Sequence, residues 1–139
     1  MVFFPFKCVL ISVKVMFMMA LIFARNGSVR DGLLALLEAT PSIDQIVQVE
    51  GVKPAWDFVQ NLCPDITLIY CTSLTRDILT FIENFQDLYN SPILTIVSND
   101  RDRKAAVDAG ADKVIMEGLP SSKLSSYITT LLQQSPRIN

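Results

Sequence analysis

From Ala20 onward the chain alternates short apolar runs with amphipathic ones, at the spacing of a sheet whose strands are joined by helices. Ala20 to Ala24 predict a first strand. After the Asn26-Gly27 turn, Ser28 and Asp31 read as a capping box, and Val29, Leu33, Leu36 and Leu37 line one face of a first helix that stops at Thr40-Pro41. Ile43 to Glu50 predict a second strand, and Pro54 fits the start of a second helix carrying Ala55, Trp56, Phe58, Val59 and Leu62. Pro64 ends that helix and leads into Ile66 to Cys71, whose largely apolar run suits a central strand covered on both faces. A third helix follows over Asp77 to Phe85, with Ile78, Phe81, Ile82 and Phe85 as its inner stripe. The Asn90-Ser91-Pro92 turn releases a fourth strand, Ile93 to Val97. Asp100 is expected to cap a short fourth helix ended by Gly110, Lys113 to Met116 form a fifth strand, and Pro120 opens a last helix with Leu124, Ile128, Leu131 and Leu132 inward. Five strand and helix pairs give an α/β three-layer sandwich around a parallel sheet, whose functional groups gather beyond the carboxyl ends of the strands.

Composition narrows the chemistry. The 139 residues suffice for one domain with a sizeable core, and half of them are apolar, which excludes a disordered tail. A net charge of -2 gives no strong field, and the densest basic run, Arg101, Arg103 and Lys104, is interrupted by Asp102, so no direct nucleic-acid partner is expected. The absence of histidine removes imidazole bases, the usual zinc sites and a histidine phosphocarrier. Cys8, Cys63 and Cys71 lack metal-knuckle spacing and read as reduced thiols of a cytoplasmic protein. Residues 1–19 form an apolar extension that could be read as a leader or weak membrane span. Lys14 in its middle argues against that, and no membrane partner is expected, with residues 20–135 as the domain and 136–139 as a tail.

At the strand ends the sequence resembles the receiver domain of bacterial two-component response regulators (the CheY-like superfamily), particularly the branch that precedes helix-turn-helix output domains. The matching pieces are Val29-Arg30-Asp31-Gly32-Leu33 and Leu36-Leu37-Glu38-Ala39-Thr40-Pro41 in the first helix, Pro64-Asp65-Ile66 entering the third strand, and Ala109-Gly110-Ala111-Asp112 before the fifth. The resemblance implies a flavodoxin-like doubly wound (βα)5 sheet of order 2-1-3-4-5. It also implies phosphoryl transfer from a histidine kinase to an aspartate, assisted by a divalent cation that needs several oxygen ligands.

The residues that would carry that chemistry differ here. The family's acidic pair falls on Ala24 and Arg25, which offer a methyl and a guanidinium in place of carboxylates. The accepting aspartate falls on Tyr70, the hydroxyl after the fourth strand on Ser98, and the lysine after the fifth strand on Glu117, followed by Gly118 instead of a proline. Arg25 and Glu117 reverse the charges expected on their loops, so an ion pair between them is predicted. No enzyme activity, no cofactor and no metal are therefore expected.

The remaining function is recognition, by a phosphorylation-independent pseudoreceiver that binds a kinase, a regulator or a second copy of itself. Its docking surface would include Arg101, Lys104, Asp108, Lys113, Lys123 and Tyr127, with Tyr127 either covering the sheet edge or anchoring the interface. Two other readings compete: a small ligand held in the vacated site between Ala24, Tyr70, Ser98 and Glu117, and an atypical receiver with residual phosphoryl transfer. Asp65 at the amino end of the third strand, Glu50 as a solvated rim carboxylate and Trp56 as a packing residue are assigned no chemical role.

Overall fold

In the computed structural model, which describes residues 18–133, the elements run β1 (Met18–Phe23), α1 (Ser28–Glu38), β2 (Ile43–Val49), α2 (Val52–Asn61) and β3 (Ile66–Tyr70). They continue through α3 (Arg76–Leu88), β4 (Ile93–Val97), α4 (Asp100–Ala109), β5 (Lys113–Met116) and α5 (Ser121–Gln133). The five strands form one parallel sheet in the order β2-β1-β3-β4-β5. This is the flavodoxin-like α/β arrangement expected from the sequence. Residues 1–17 of the apolar extension and the 136–139 tail lie outside the described residues, while Met18 and Met19, counted with the extension in the sequence, belong to β1.

Period-two alternation in the strands sorts side chains between the two faces. Ala20 and Ile22 of β1, Ile66 and Leu68 of β3, and Leu94 and Ile96 of β4 meet Leu33 and Leu37 of α1 and Ile128, Leu131 and Leu132 of α5. Leu21, Phe23, Ile69 and Ile93 point to the other layer, against Ala55 and Val59 of α2 and Phe81, Ile82 and Phe85 of α3. Phe81 is the hub there, edge-on to Phe23 at 5.6 Å and to Trp56 at 4.8 Å between ring centroids, and stacked on Phe85. Both faces of the sheet are thus covered, which explains the near-continuous apolar character of β3 and β4.

Element ends differ from the sequence reading in ways that have local causes. β1 begins two residues earlier than expected, because Met19 pairs with Gln45 and its backbone N–H donates to the buried Asp65 carboxylate at 2.7 Å. The Ser28–Asp31 capping box does not form. Gly27 holds the N-cap position without a side-chain bond, and the Asp31 N–H reaches the Gly27 carbonyl at 3.0 Å. Asn99, not Asp100, caps α4 by accepting from the Asp102 N–H at 2.8 Å, which leaves Asp100 in the first turn beside Arg103. α3 starts one residue before the expected Asp77 and runs on to Leu88, capped by Thr75. Gly110 ends α4 at φ 107, in the left-handed region that a side chain disfavours, as its position after Ala109 predicted.

Candidate functional site

At the carboxyl end of β1, Ala24 is buried and its N–H donates to the Val49 carbonyl at 3.0 Å, while Arg25 is exposed. Neither brings an oxygen ligand to the strand end. The group that organises this corner is Arg30, which rises from the first turns of α1. One guanidinium nitrogen (Nη1) donates to the Ala24 carbonyl and to Glu50 Oε2, both at 3.3 Å, and the other (Nη2) to Asn26 Oδ1 at 3.2 Å. A single cation therefore ties β1, the loop after it and the end of β2. Glu50 is ion-paired here, and its exposure keeps the pair's contribution to about 0–1 kcal/mol. Sequence reasoning saw Arg30 only as part of a motif; its role depends on the parallel pairing of β1 with β2.

Across the sheet, Tyr70, Ser98 and Glu117 converge. The β4–β5 register sets Val97 beside Met116, so the next residues of each strand meet, and the Ser98 hydroxyl donates to Glu117 Oε1 at 2.8 Å. Tyr70, half-buried at the end of β3, has its pKa raised above 10.0, first by burial and then by the hydrogen bond and negative charge of Glu117, with Ser98 opposing. The predicted Arg25–Glu117 ion pair is absent among the described residues: Glu117 is taken by Ser98. The reason is distance, because β3 and β4 stand between β1 and β5, and strands spaced about 4.8 Å apart put those ends some ~14 Å from each other. Gly118 follows with φ 96, a left-handed turn suited to glycine.

A cleft of about 1040 Å³ opens on the other side of Tyr70, between the carboxyl ends of β1 and β3 and the starts of α2 and α3. Phe23, Arg25, Trp56, Tyr70, Cys71 and Ser73 line it. Of the four residues expected to rim a ligand pocket, Tyr70 alone lines this cleft; Glu117 lines a second, smaller groove and accepts from Ser98, and Ala24 is packed under the sheet end. Cys71 has its thiol pushed up to about 11, by burial and by the Asp102 charge, with Arg25 pulling the other way. Asp102 also accepts from the Leu74 N–H at 3.1 Å, which pins the loop after β3 to α4. Cys71 is the free cysteine among the described residues; Cys63 is disulfide-bonded, which corrects the expectation of three reduced thiols. A smaller apolar groove of about 460 Å³ runs between α1 and the β5–α5 segment, past Leu36, Met116, Leu119 and Leu124.

The six docking residues fall on neighbouring elements at the β5 edge. Arg101, Lys104 and Asp108 are exposed on α4, Lys123 is exposed on α5, and Lys113 of β5 lies 4.3 Å above the Tyr127 ring. That cation–π contact anchors Tyr127 against the sheet edge while leaving it half-exposed. Among the described residues no group of three or more acidic, cysteine or histidine side chains is placed to hold a metal ion, and no helix is long and apolar enough to cross a membrane.

No family model matches the sequence, and no curated protein matches it. Solved structures do. The CheY-like receiver domain protein from Methanospirillum hungatei superposes with a TM-score of 0.74 at 13% identity, over 88% of this chain and 99% of that one. The receiver domain of a DNA-binding response regulator from Colwellia psychrerythraea gives 0.72 at 18% identity, over 84% and 99%. A two-component response regulator from Clostridium difficile gives 0.72 at 17% identity, over 84% and 97%. The fold is that of a receiver domain. Identities this low establish the receiver architecture alone, and the side chains at the strand ends carry the argument about chemistry.

Proposed function

We propose that this chain is a pseudoreceiver: a binding module of cytoplasmic two-component type signalling that works without phosphorylation and acts through a protein partner, a kinase or regulator, or through a second copy. The observation that carries the reading is the Tyr70–Ser98–Glu117 cluster. At the acceptor position stands a phenol held neutral well beyond physiological pH, which is a far weaker nucleophile for a phosphoryl group than an ionised carboxylate. The metal-binding position is filled by Ala24 and Arg25, and the nearby charge is already supplied by the Arg30 guanidinium.

Glu117 gives the cluster a signalling logic. In receivers, the hydroxyl after the fourth strand meets an anionic phosphoryl oxygen on activation. Here the Ser98 hydroxyl donates to an anionic oxygen that belongs to the chain itself. The β4–α4 and β5–α5 loops are therefore held by an internal carboxylate, and the α4–β5–α5 face bearing Lys104, Lys113 and Tyr127 stays in one presentation.

The reading is tested by affinity capture from native lysate, with wild type and with a K104E/K113E/Y127A variant, each with and without acetyl phosphate and magnesium. Partners retained by wild type, lost by the variant and indifferent to acetyl phosphate are the expected result. A partner captured only after acetyl phosphate treatment would remove the reading.

A further inference from the structure

We propose that the cleft between the carboxyl ends of β1 and β3 and the starts of α2 and α3 binds a small organic anion bearing a planar ring, with Arg25 on the anionic group and Trp56 beside the ring. The site shares only the Tyr70 wall with the Tyr70–Ser98–Glu117 cluster and includes none of the residues of the α4–β5–α5 face. At about 1040 Å³ it is large enough for a mononucleotide-sized molecule, sites for which typically span about 300–1000 Å³.

The charge inventory of the lining singles out Arg25. Glu50 is paired with Arg30 at 3.3 Å, and Asp57 with Lys53 at 3.6 Å. Asp77 sits in the first turn of α3, where the helix dipole favours a carboxylate. Arg25 has no carboxylate partner among the described residues, although its planar fork suits a carboxylate or phosphate. Beside it, α2 opens at Gly51 with no side-chain cap and no acidic residue in its first turn, so the N–H groups of Val52 and Lys53 lack a side-chain acceptor among the described residues. α3, by contrast, is closed by Thr75. The same end of the cleft thus collects a free guanidinium and an uncapped helix start.

The apolar half of the lining accounts for the ring. Trp56 packs edge-on against the buried Phe81, which fixes its orientation, and stays half-buried with the rest of the indole on the cleft wall near Phe23 and Ile78. Thr72 and Ser73 add hydroxyl-bearing residues to the lining. The loop that carries them is joined to α4 through the Leu74–Asp102 bond, which connects an occupied cleft to the helix of the docking face.

Trp56 is the sole tryptophan of the chain, so its fluorescence reads this cleft directly. Adenosine 5′-monophosphate and benzoate, as phosphate- and carboxylate-bearing probes, are titrated into the full chain, with adenosine and inorganic phosphate as half-ligands. Saturable quenching is expected from at least one ring-bearing anion, with adenosine and phosphate each much weaker. Arg25→Gln should weaken that binding by roughly tenfold or more, the worth of one charge-assisted hydrogen bond, and Arg103→Gln, on the outside of α4 and away from the cleft lining, should leave it unchanged. Arg25 is exposed, so its replacement leaves the fold intact, and amide shifts over the Tyr70–Thr75 loop give a second readout. Absence of saturable quenching by both anions at millimolar concentration, or equal affinity in Arg25→Gln, would overturn the proposal.

Discussion

The Ser98 hydroxyl and the Glu117 carboxylate meet at 2.8 Å across the ends of β4 and β5, beside the phenol of Tyr70. This small cluster closes the carboxyl ends of β3, β4 and β5 with groups of the chain itself.

Tyr70 should titrate above its ordinary value of 10.0, because burial, then the hydrogen bond and charge of Glu117, all favour the neutral phenol. Ultraviolet difference titration of wild type against Tyr70→Phe isolates it from Tyr89 and Tyr127. Glu117→Gln should lower the Tyr70 midpoint while leaving it elevated, since burial remains. A raised folded-state value stabilises the fold fully below pH 10.0 and is lost as pH rises through the folded midpoint. The stability difference between wild type and Tyr70→Phe should accordingly shrink in that alkaline window; a constant difference would contradict the assignment.

Cys71 should alkylate slowly. With its thiol pushed up to about 11 from 9.0, the thiolate at mildly alkaline pH is scarce, and iodoacetamide should react on the order of tenfold or more slower than with free cysteine. The rate should still climb above pH 9.0. Arg25→Gln removes the one charge that favours the thiolate, so it should slow the reaction further, as read by mass of the modified Cys71 peptide.

Asp65 is buried at 2% exposure and accepts the Met19 N–H at 2.7 Å, while its own N–H donates to the Met19 carbonyl at 2.7 Å. Asp65→Ala strips the side-chain acceptor and leaves a buried N–H at the start of the sheet, which should destabilise by about 1–3 kcal/mol in urea unfolding. A neutral result would mean that the Met19 N–H finds another acceptor.

Thr67 and Thr95 lie fully buried on adjacent strands with hydroxyls that have no hydrogen-bond partner among the described residues. Valine keeps the shape and removes the unsatisfied group. Thr95→Val should therefore raise stability by about 1 kcal/mol, and a loss of that size would show a bonded hydroxyl.

The sequence made the layers legible because the apolar period is local. The alternation of Ala20 and Ile22 with Leu21 and Phe23 already separates the two cores. Helix caps were less legible: Ser28 and Asp100 are good capping types, but neighbouring Gly27 and Asn99 took the positions once the chain was placed. Tyr70, Ser98 and Glu117, singled out in the sequence through the resemblance, lie together at the strand ends. Their mutual bonding, and the failure of the Arg25–Glu117 pair, follow from strand order, which separates β1 from β5 by two strands. The Arg30 contacts and the cleft beside Trp56 and Cys71 depend on groups from three or more elements, and no spacing along the chain announces them.

The central claim is that the top of this sheet has exchanged phosphoryl chemistry for a fixed internal carboxylate. Intact mass of the full chain after incubation with acetyl phosphate and magnesium, followed by sizing under the same conditions, tests it most directly. An unchanged mass and an unchanged size are predicted. A stable phosphoryl adduct, lost in Tyr70→Phe or accompanied by a shift in association, would contradict it.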